Sequence, residues 1–216
     1  SDLLKEAEQS AWVRRAVRYA LRHTTILVGD CQAVKDKAVS FGFPKGRVEL
    51  FPWGVDLDHF TPVGKSKMRK RLGWEENFVL LSLRSWEPIY GVDVLIRAFA
   101  IAVEKVPELR LILLGNGSQA PIIQRLIAQY HLEEKIHLGG QVGNHDLPEI
   151  YRSADLYISA SHSDGSSVSL MESLACGLPC LVSDIPGNKE WISSGKEGWL
   201  FPDGDHHALA ELLLRI

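Results

Sequence analysis

The sequence predicts an α/β fold in which helices flank both faces of a mostly parallel sheet. From residue 65 onward, short apolar runs alternate with amphipathic segments of helical length, which is the pattern of repeated strand–helix–strand units. Apolar runs such as FVLLSL and LRLILL are almost continuous, as expected for strands buried on both faces. The 216 residues, 45% of them hydrophobic and 24% charged, have the composition of a soluble globular protein.

The chain opens with a predicted amphipathic helix over residues 3–22, where small and apolar residues recur at helical spacing. Arg14, Arg18 and Arg22 form a row along this helix. Such a row fits two roles, contact with an anionic membrane surface or exposure to water, and exposure is the simpler interpretation.

Three further elements precede a connector, namely a strand at 24–28, a helix at 31–40 and a strand at 47–51. Asp30 is the predicted N-cap of that helix, and Gly42 ends it. The following segment, FPWGVDLDHFTPV at 51–63, is rich in Pro, Gly and Asp, so we interpret it as a connector.

The alternating region contains the elements of the main sheet. Its predicted strands lie at 78–83, 109–114, 135–138, 156–159, 180–182 and 198–201. Its predicted helices lie at 65–72, 91–106, 120–130, 145–153, 168–175 and 206–216. Ligands of such sheets bind beyond the carboxyl ends of the strands. We therefore expect the binding site on the rim formed by the loops after Leu83, Leu114, Leu138, Ser159 and Val182.

The most informative stretch covers residues 161–192, SHSDGSSVSLMESLACGLPCLVSDIPGNKEWI. A polar loop enters a predicted helix at Val168, and the free N–H groups of a helix start favour anions, most often phosphate. Asp164 precedes the helix and Glu172 lies inside it, which separates the two acids by about 12 Å or somewhat less. This spacing suits a ligand with a central pyrophosphate and hydroxyl groups at both ends. A polar loop with an N-capping side chain is the simpler alternative.

This stretch resembles the nucleotide-sugar site of the retaining glycosyltransferases of family 4, the group 1 enzymes with two facing Rossmann-like domains (the GT-B type fold). Their motif is Glu, seven residues, Glu, then a helix of the type EAMACGxP; here Asp164 replaces the first Glu and MESLACGLP follows. The resemblance implies that Asp164 orients the sugar and Glu172 holds the ribose. The backbone N–H groups that would bind the diphosphate belong to Gly165, Ser166, Ser167 and Val168.

Arg84 directly follows the first strand of the main sheet, and LRSWEPIYGVDVLIRAF resembles the family segment GRLxxxKGxDxLIxAF. In the family, the Arg and a Lys six residues later clamp the donor diphosphate, so the resemblance assigns Arg84 to the leaving group. Tyr90 stands at the Lys position, which replaces one positive charge by a hydrogen-bonding side chain. An exposed Arg after a strand is the simpler alternative.

Gly115 and Gly117 belong to GNGSQA, which matches the dinucleotide fingerprint GxGxxA between a strand and a helix. The next predicted strand is followed by no acid that could hold a ribose, so a dinucleotide-dependent oxidoreductase is a weaker alternative. The loop also resembles the GxG turn of family 4, which implies that its backbone closely approaches the donor.

Two more segments resemble parts of the family's donor site. GQVGN at 140–144 resembles the loop that packs on the nucleotide base, which implies that Val142 contacts the base. GNKEW at 187–191 resembles the turn GNREW, and Lys189 there either adds positive charge near the phosphates or is merely exposed. His162 is a candidate polar contact, although a lone His is more often structural.

The connector resembles the interdomain hinge PNGVDxxxFxP of the family, with Trp53 in place of Asn. We therefore predict that residues 1–51 end an N-terminal acceptor domain, that 52–63 form the hinge and that 64–216 form the donor-binding domain. On this resemblance most of the N-terminal domain is missing from the sequence. We expect a partner chain or a second copy of the chain to cover what is left of it.

The predicted function is transfer of a hexosyl unit from a nucleotide-diphosphate sugar to a glycan, lipid or small-molecule acceptor, with retention of the anomeric configuration. The resemblance implies polysaccharide or glycolipid biosynthesis, with no metal and no cofactor apart from the donor substrate. One alternative is a nucleotide-sugar-binding module without turnover. Another is a glycosidase, whose paired carboxylates would lie about 5–9.5 Å apart.

Charge, cysteine content and hydropathy indicate the ligand class and the cellular compartment. A net charge of −3 creates no field that would attract nucleic acid. Cys31, Cys176 and Cys180 are odd in number and show no paired spacing, which argues against a disulfide framework and for a reducing compartment. No signal peptide or apolar run of about 20 residues is visible. We expect a cytoplasmic protein, with peripheral contact at the inner face of the membrane as the role of the Arg row.

Overall fold

The computed structural model describes residues 10–216, in which helices and strands alternate along the chain. The helices are α1 Ala11–Arg22, α2 Gln32–Ser40, α3 Met68–Leu72, α4 Val92–Lys105, α5 Ala120–Gln129, α6 Leu147–Tyr151, α7 Val168–Ala175, α8 Pro186–Lys189 and α9 His206–Leu213. The strands are β1 Leu27–Gly29, β2 Val48–Leu50, β3 Phe78–Ser82, β4 Leu109–Leu114, β5 Ile136–Gly140, β6 Leu156–Ser159, β7 Cys180–Ser183 and β8 Gly198–Phe201.

Strands β3 to β8 form one parallel sheet in the order β5-β4-β3-β6-β7-β8. The chain starts at the centre with β3, builds outward to β5, and then returns to place β6 beside β3. This reversal makes the loops after β3 and β6 diverge, which leaves a crevice at the carboxyl ends of the two strands. Strands β1 and β2 form a separate two-stranded parallel sheet.

The main sheet is covered on both faces, because successive side chains of a strand point to opposite sides. On one face, Leu80 belongs to a buried cluster with Phe99 of α4 and Leu209 of α9. On the other face, Leu81 belongs to a buried cluster with Leu170 of α7. The predicted α/β class, a Rossmann-like parallel sheet flanked by helices, is confirmed. The apolar strands are continuous because neither face meets water.

Several predicted boundaries differ from those observed. The first helix begins at Ala11 within the described residues, with Ser10 as its N-cap, and the predicted residues 3–9 lie outside them. The predicted helix at 145–153 is a short 3-10 turn followed by α6, with a Pro in the first turn of α6. The predicted turn at 186–188 is the beginning of the short helix α8.

The prediction that Asp30 caps α2 is wrong. Cys31 occupies the N-cap position, and its own side chain makes no capping hydrogen bond. The Asp30 carboxylate instead accepts a hydrogen bond from the backbone N–H of Ser166, at 3.0 Å. A partner distant in sequence thus replaces the local one that the cap motif predicts.

The three cysteines are buried free thiols. Burial raises the pKa of the Cys180 thiol to about 12. Within residues 10–216, no helix combines the length and the apolar character needed to cross a bilayer.

Asp205 stabilises the last helix, and its loss gives a measurable test of the fold. Its carboxylate accepts hydrogen bonds from the N–H groups of His207 and Ala208, at 3.0 and 2.9 Å. We expect Asp205→Ala to lower the free energy of unfolding by about 1 kcal/mol in urea denaturation. Glu211→Ala, on the exposed side of the same helix, is the control, and an equal loss in both variants would contradict the capping role.

Candidate functional site

The crevice between β3 and β6 brings together two residues that lie far apart in the sequence. Arg84 is the second residue after β3, and Asp164 lies in the loop after β6. Nη2 of Arg84 lies 2.7 Å from Oδ2 of Asp164, and both side chains are largely buried. The strand order therefore places a cation and an anion at the point where doubly wound sheets bind ligands.

The guanidinium of Arg84 is held from several directions. Nη1 donates to the Ser167 hydroxyl at 3.0 Å and to the Ser169 hydroxyl at 3.1 Å. The guanidinium carbon lies 4.3 Å from the centre of the Tyr90 ring, which is cation–π geometry. The sequence predicted separate roles for Arg84 and Asp164, and hydrogen bonding by Tyr90. The structure shows that Arg84 and Asp164 form a direct ion pair and that the Tyr90 ring face packs on the cation.

The four predicted phosphate-binding N–H groups divide into two pairs. The N–H of Gly165 donates to its neighbour's carboxylate, Asp164 Oδ1, at 3.1 Å. That of Ser166 donates to Asp30. Those of Ser167 and Val168 donate no hydrogen bond within the described part of the chain. The two N–H groups nearest the start of α7 are therefore the ones left for a ligand.

Glu172, the second predicted acid, lies about one turn into α7 and is 5% exposed. The hydroxyl of Tyr151 donates to its Oε2 at 2.7 Å. Glu172 and Val168 line a cavity of about 460 Å³, together with His59 and Asp56 of the predicted hinge. Val168 is 41% exposed, so the start of the helix opens to solvent on this side.

Burial raises the pKa of Glu172 above its ordinary value of 4.5, although the hydrogen bond from Tyr151 opposes the shift. Because the folded state holds the proton more tightly, ionised Glu172 costs stability, and this cost grows as pH rises from about 4.5 through the folded pKa. We expect Glu172→Gln to gain stability relative to the native protein as the pH rises above about 4.5. Urea denaturation at several pH values measures this; a pH-independent difference would contradict it, and Glu211→Gln is the control.

Two buried tyrosines support the site, and no motif in the sequence indicates this role. The Tyr157 hydroxyl lies 2.8 Å from the Ser169 hydroxyl, which also contacts Arg84. The Tyr151 hydroxyl bonds to Glu172 and to the backbone oxygen of Ser169. Tyr residues in a strand and a short apolar helix have the pattern of core residues, so only their hydroxyl partners reveal this role.

Gly115 and Gly117 support the loop that carries Arg84. The backbone of Gly115 has a φ of +100°, and a Cβ at this position would lie 2.4 Å from the backbone oxygen of Arg84. A Cβ on Gly117 would lie 2.5 Å from the backbone oxygen of Trp86. The resemblance predicted close approach of these glycines to a donor; the structure shows close approach to the 84–87 loop.

A second cavity, of about 370 Å³, joins three of the predicted residues. Arg84, Gly115 and Val142 lie on its wall with the other lining residues Leu83, Ser85, Leu114, Asn116, Gln141 and Leu147. It lies along the carboxyl ends of β3, β4 and β5. The predicted base-contacting residue and the predicted diphosphate-binding residue thus share one cavity.

Two of the remaining candidates have charged partners of their own. Nζ of Lys189 lies 2.6 Å from Oδ1 of Asp184. Nδ1 of His162 lies 2.5 Å from an oxygen of Asp203. Among residues 10–216, no group of three or more His, Cys, Asp or Glu side chains could hold a metal ion.

Solved structures share this architecture, which is the GT-B type of fold. The Anabaena protein HepE, crystallised with UDP and glucose, matches 99% of this chain and 59% of its own, with a TM-score of 0.88 and 22% identity. Sucrose-phosphate synthase from Thermosynechococcus elongatus matches 98% of this chain and 54% of its own, with a TM-score of 0.82 and 23% identity. At these identities the likeness shows the fold alone.

The chain belongs to the group 1 glycosyltransferases, because the pattern of that family, glycosyl transferases group 1, matches residues 64–216. Mannosylfructose-phosphate synthase of Agrobacterium fabrum is 32% identical over 174 residues, which are 76% of this chain and 38% of that protein. D-inositol 3-phosphate glycosyltransferase of Thermobispora bispora is 32% identical over 184 residues, 79% of this chain and 43% of that protein. The chain thus spans less than half the length of these relatives.

Proposed function

We propose that this chain is the donor-binding part of a glycosyltransferase that moves a hexosyl unit from a nucleotide-diphosphate sugar to an acceptor, with retention of the anomeric configuration. One observation carries the proposal: Arg84, Asp164 and the start of α7 meet at the switch point of the sheet. Membership of the group 1 family supports it. Crystals of HepE with UDP-glucose and of pneumococcal GtfA with UDP favour a uridine nucleotide.

The proposed donor extends across both cavities. Its base contacts Val142, its diphosphate lies between Arg84 and the free N–H groups of α7, and its ribose reaches Glu172. Asp164, next to Arg84, faces the sugar. Departure of the nucleoside diphosphate is the costly step, and Arg84 stabilises the charge that develops on it, by about 3 kcal/mol.

The contacts of Arg84 suggest how it exchanges partners. Nη2 is bonded to a carboxylate, whereas Nη1 is bonded only to the hydroxyls of Ser167 and Ser169. A phosphate oxygen is a stronger acceptor than a hydroxyl. The diphosphate therefore takes the Nη1 side, and Asp164 keeps Nη2 and stays oriented beside the sugar. Retention is consistent with this arrangement if the acceptor attacks from the face of the leaving phosphate, which then takes the acceptor's proton.

We also propose that residues 52–63 are a hinge between the donor part and the end of an acceptor part. The acceptor, a glycan, lipid or small molecule, would contact the N-terminal side of the crevice. Trp53 and Leu57 in this segment are exposed and line an apolar groove with Trp191. A second polypeptide, or another copy of this chain, would cover the exposed residues of α1 and β1.

Calorimetric titration with UDP, GDP, ADP and NAD tests the proposed function. We expect UDP to bind and NAD not to bind; binding of NAD alone would favour the oxidoreductase instead. Release of UDP from UDP-hexose shows turnover, and donor binding without release would indicate a binding module. NMR of the product's anomeric proton determines whether the configuration is retained.

A further inference from the structure

The N-terminal segment contacts the loop before α7 through Asp30. This residue directly follows β1. Its carboxylate accepts a hydrogen bond from the N–H of Ser166 at 3.0 Å, and its backbone oxygen accepts one from the Ser166 hydroxyl at 2.6 Å. Ser166 is buried. The loop is thus bonded to both the side chain and the backbone of a residue 136 positions earlier.

Two neighbouring contacts show that this junction is closely packed. A Cβ added to Gly165 would lie 2.1 Å from Oδ2 of Asp30, so only glycine fits while the carboxylate is in place. In the opposite direction, Glu190 accepts a hydrogen bond from the backbone N–H of Gln32 at 2.7 Å. Between these two bonds lies Cys31, which is 1% exposed. Each side of the junction therefore supplies one carboxylate to a backbone N–H of the other.

The junction lies at one end of the proposed donor. Ser166 and Gly165 adjoin Asp164, whose carboxylate pairs with Arg84, whereas Glu172 lies farther on, about one turn into α7. Fixing the Ser166 N–H therefore fixes the backbone from which the Asp164 side chain extends. The ribose and base contacts are held by other elements, namely α6 and the loop after β5.

We propose that Asp30 is a positioning residue for the sugar end of the donor site: it holds the 165–166 segment so that Asp164 faces the transferred sugar. This inference rests on the proposed function for the identity of the ligand. It makes the segment before the hinge part of the donor site rather than a separate acceptor element. Loss of Asp30 should therefore affect a donor that carries its sugar more than the nucleoside diphosphate alone.

Hydrogen exchange of the protein without nucleotide tests the contact itself. In Asp30→Ala, we expect the amide of Ser166 to exchange at least about tenfold faster than in the native protein. Asp30→Asn retains an acceptor oxygen, so the Ser166 amide of this variant should remain protected from exchange. Asp36→Asn, on the exposed side of α2, is the matched control. Unchanged protection in Asp30→Ala would overturn the proposal.

A steric rescue tests the packing independently. Gly165→Ala should disturb the loop, because the new Cβ meets the Asp30 carboxylate. Combining it with Asp30→Ala removes that obstacle, so the double variant should be more stable to heat than Gly165→Ala alone. If the double variant loses as much thermal stability as the two single variants together, or more, the carboxylate does not occupy this position.

Calorimetry with UDP and UDP-glucose tests the consequence for the donor. We expect Asp30→Ala to weaken UDP-glucose binding by about tenfold and UDP binding by less than about twofold. An equal loss for both ligands would mean a general structural role and would overturn the proposal. If the native protein binds neither ligand, the proposed function fails, whereas the exchange and rescue experiments still decide whether Asp30 holds the loop.

Discussion

Replacing Arg84 with alanine should weaken UDP binding by about 100-fold, equivalent to about 3 kcal/mol. Arg84 is the positively charged residue that the fold brings to the switch point of the sheet. Its Nη1 atom is bonded only to hydroxyls, which a phosphate can displace. Tyr90, which stands where the family has a Lys, supplies no charge to compensate. Uridine carries no phosphate and should bind the variant as it binds the native protein.

Calorimetry with UDP and with uridine measures both effects. Arg125→Ala, on the exposed side of α5, removes the same charge away from the site and serves as the control. The substitution also leaves the Asp164 carboxylate without its partner, so circular dichroism must show that the variant is folded. Equal affinities of native and variant protein for UDP would rule out the diphosphate role of Arg84.

Glu172→Ala should weaken UDP binding by about 10- to 100-fold, because a carboxylate that accepts from ribose hydroxyls makes charge-assisted hydrogen bonds. Glu172 is buried and oriented by the Tyr151 hydroxyl. The native protein should therefore bind UDP more tightly than 2′,3′-dideoxy-UDP. The variant should bind the two ligands equally.

This comparison of ligands separates the ribose role from a general loss of structure. Tyr151→Phe keeps the Glu172 carboxylate but removes the hydroxyl that orients it. This variant should therefore show a weaker preference for UDP over 2′,3′-dideoxy-UDP without losing that preference. Glu149→Ala, which removes a more exposed carboxylate on α6, should leave the preference unchanged. If Glu172→Ala still discriminates fully between the two ligands, the ribose is bound elsewhere.

The predicted positions of most main-sheet elements agree closely with the structure. β4, β6 and β8 have the same bounds in both, because each is a short apolar run between clear turn residues. Boundaries were less accurate at α3 and α6, where polar and apolar residues mix without a clear period. The order of the strands could not be predicted, since period and composition do not specify which strands pair.

The candidate residues illustrate the same division. The motif spacing selected Arg84, Asp164 and Glu172, but not the ion pair of the first two, which depends on β3 and β6 being neighbours. Asp30 had the local pattern of a helix cap and instead bonds to Ser166. A cap motif predicts only contacts within a few residues, so it cannot predict a hydrogen bond to the Ser166 loop, 136 positions away.

By itself, the sequence determined the α/β class, the apolar strands and the polar loop that leads into α7, because these follow from local periodicity and composition. It also carried the motif that places the chain among the group 1 glycosyltransferases. Only the tertiary structure decided which charges meet: Arg84 with Asp164, Tyr151 with Glu172, and Asp30 with Ser166. The physical reason is that hydrogen bonds and ion pairs form over about 3 Å in space, a distance that separation along the chain does not specify.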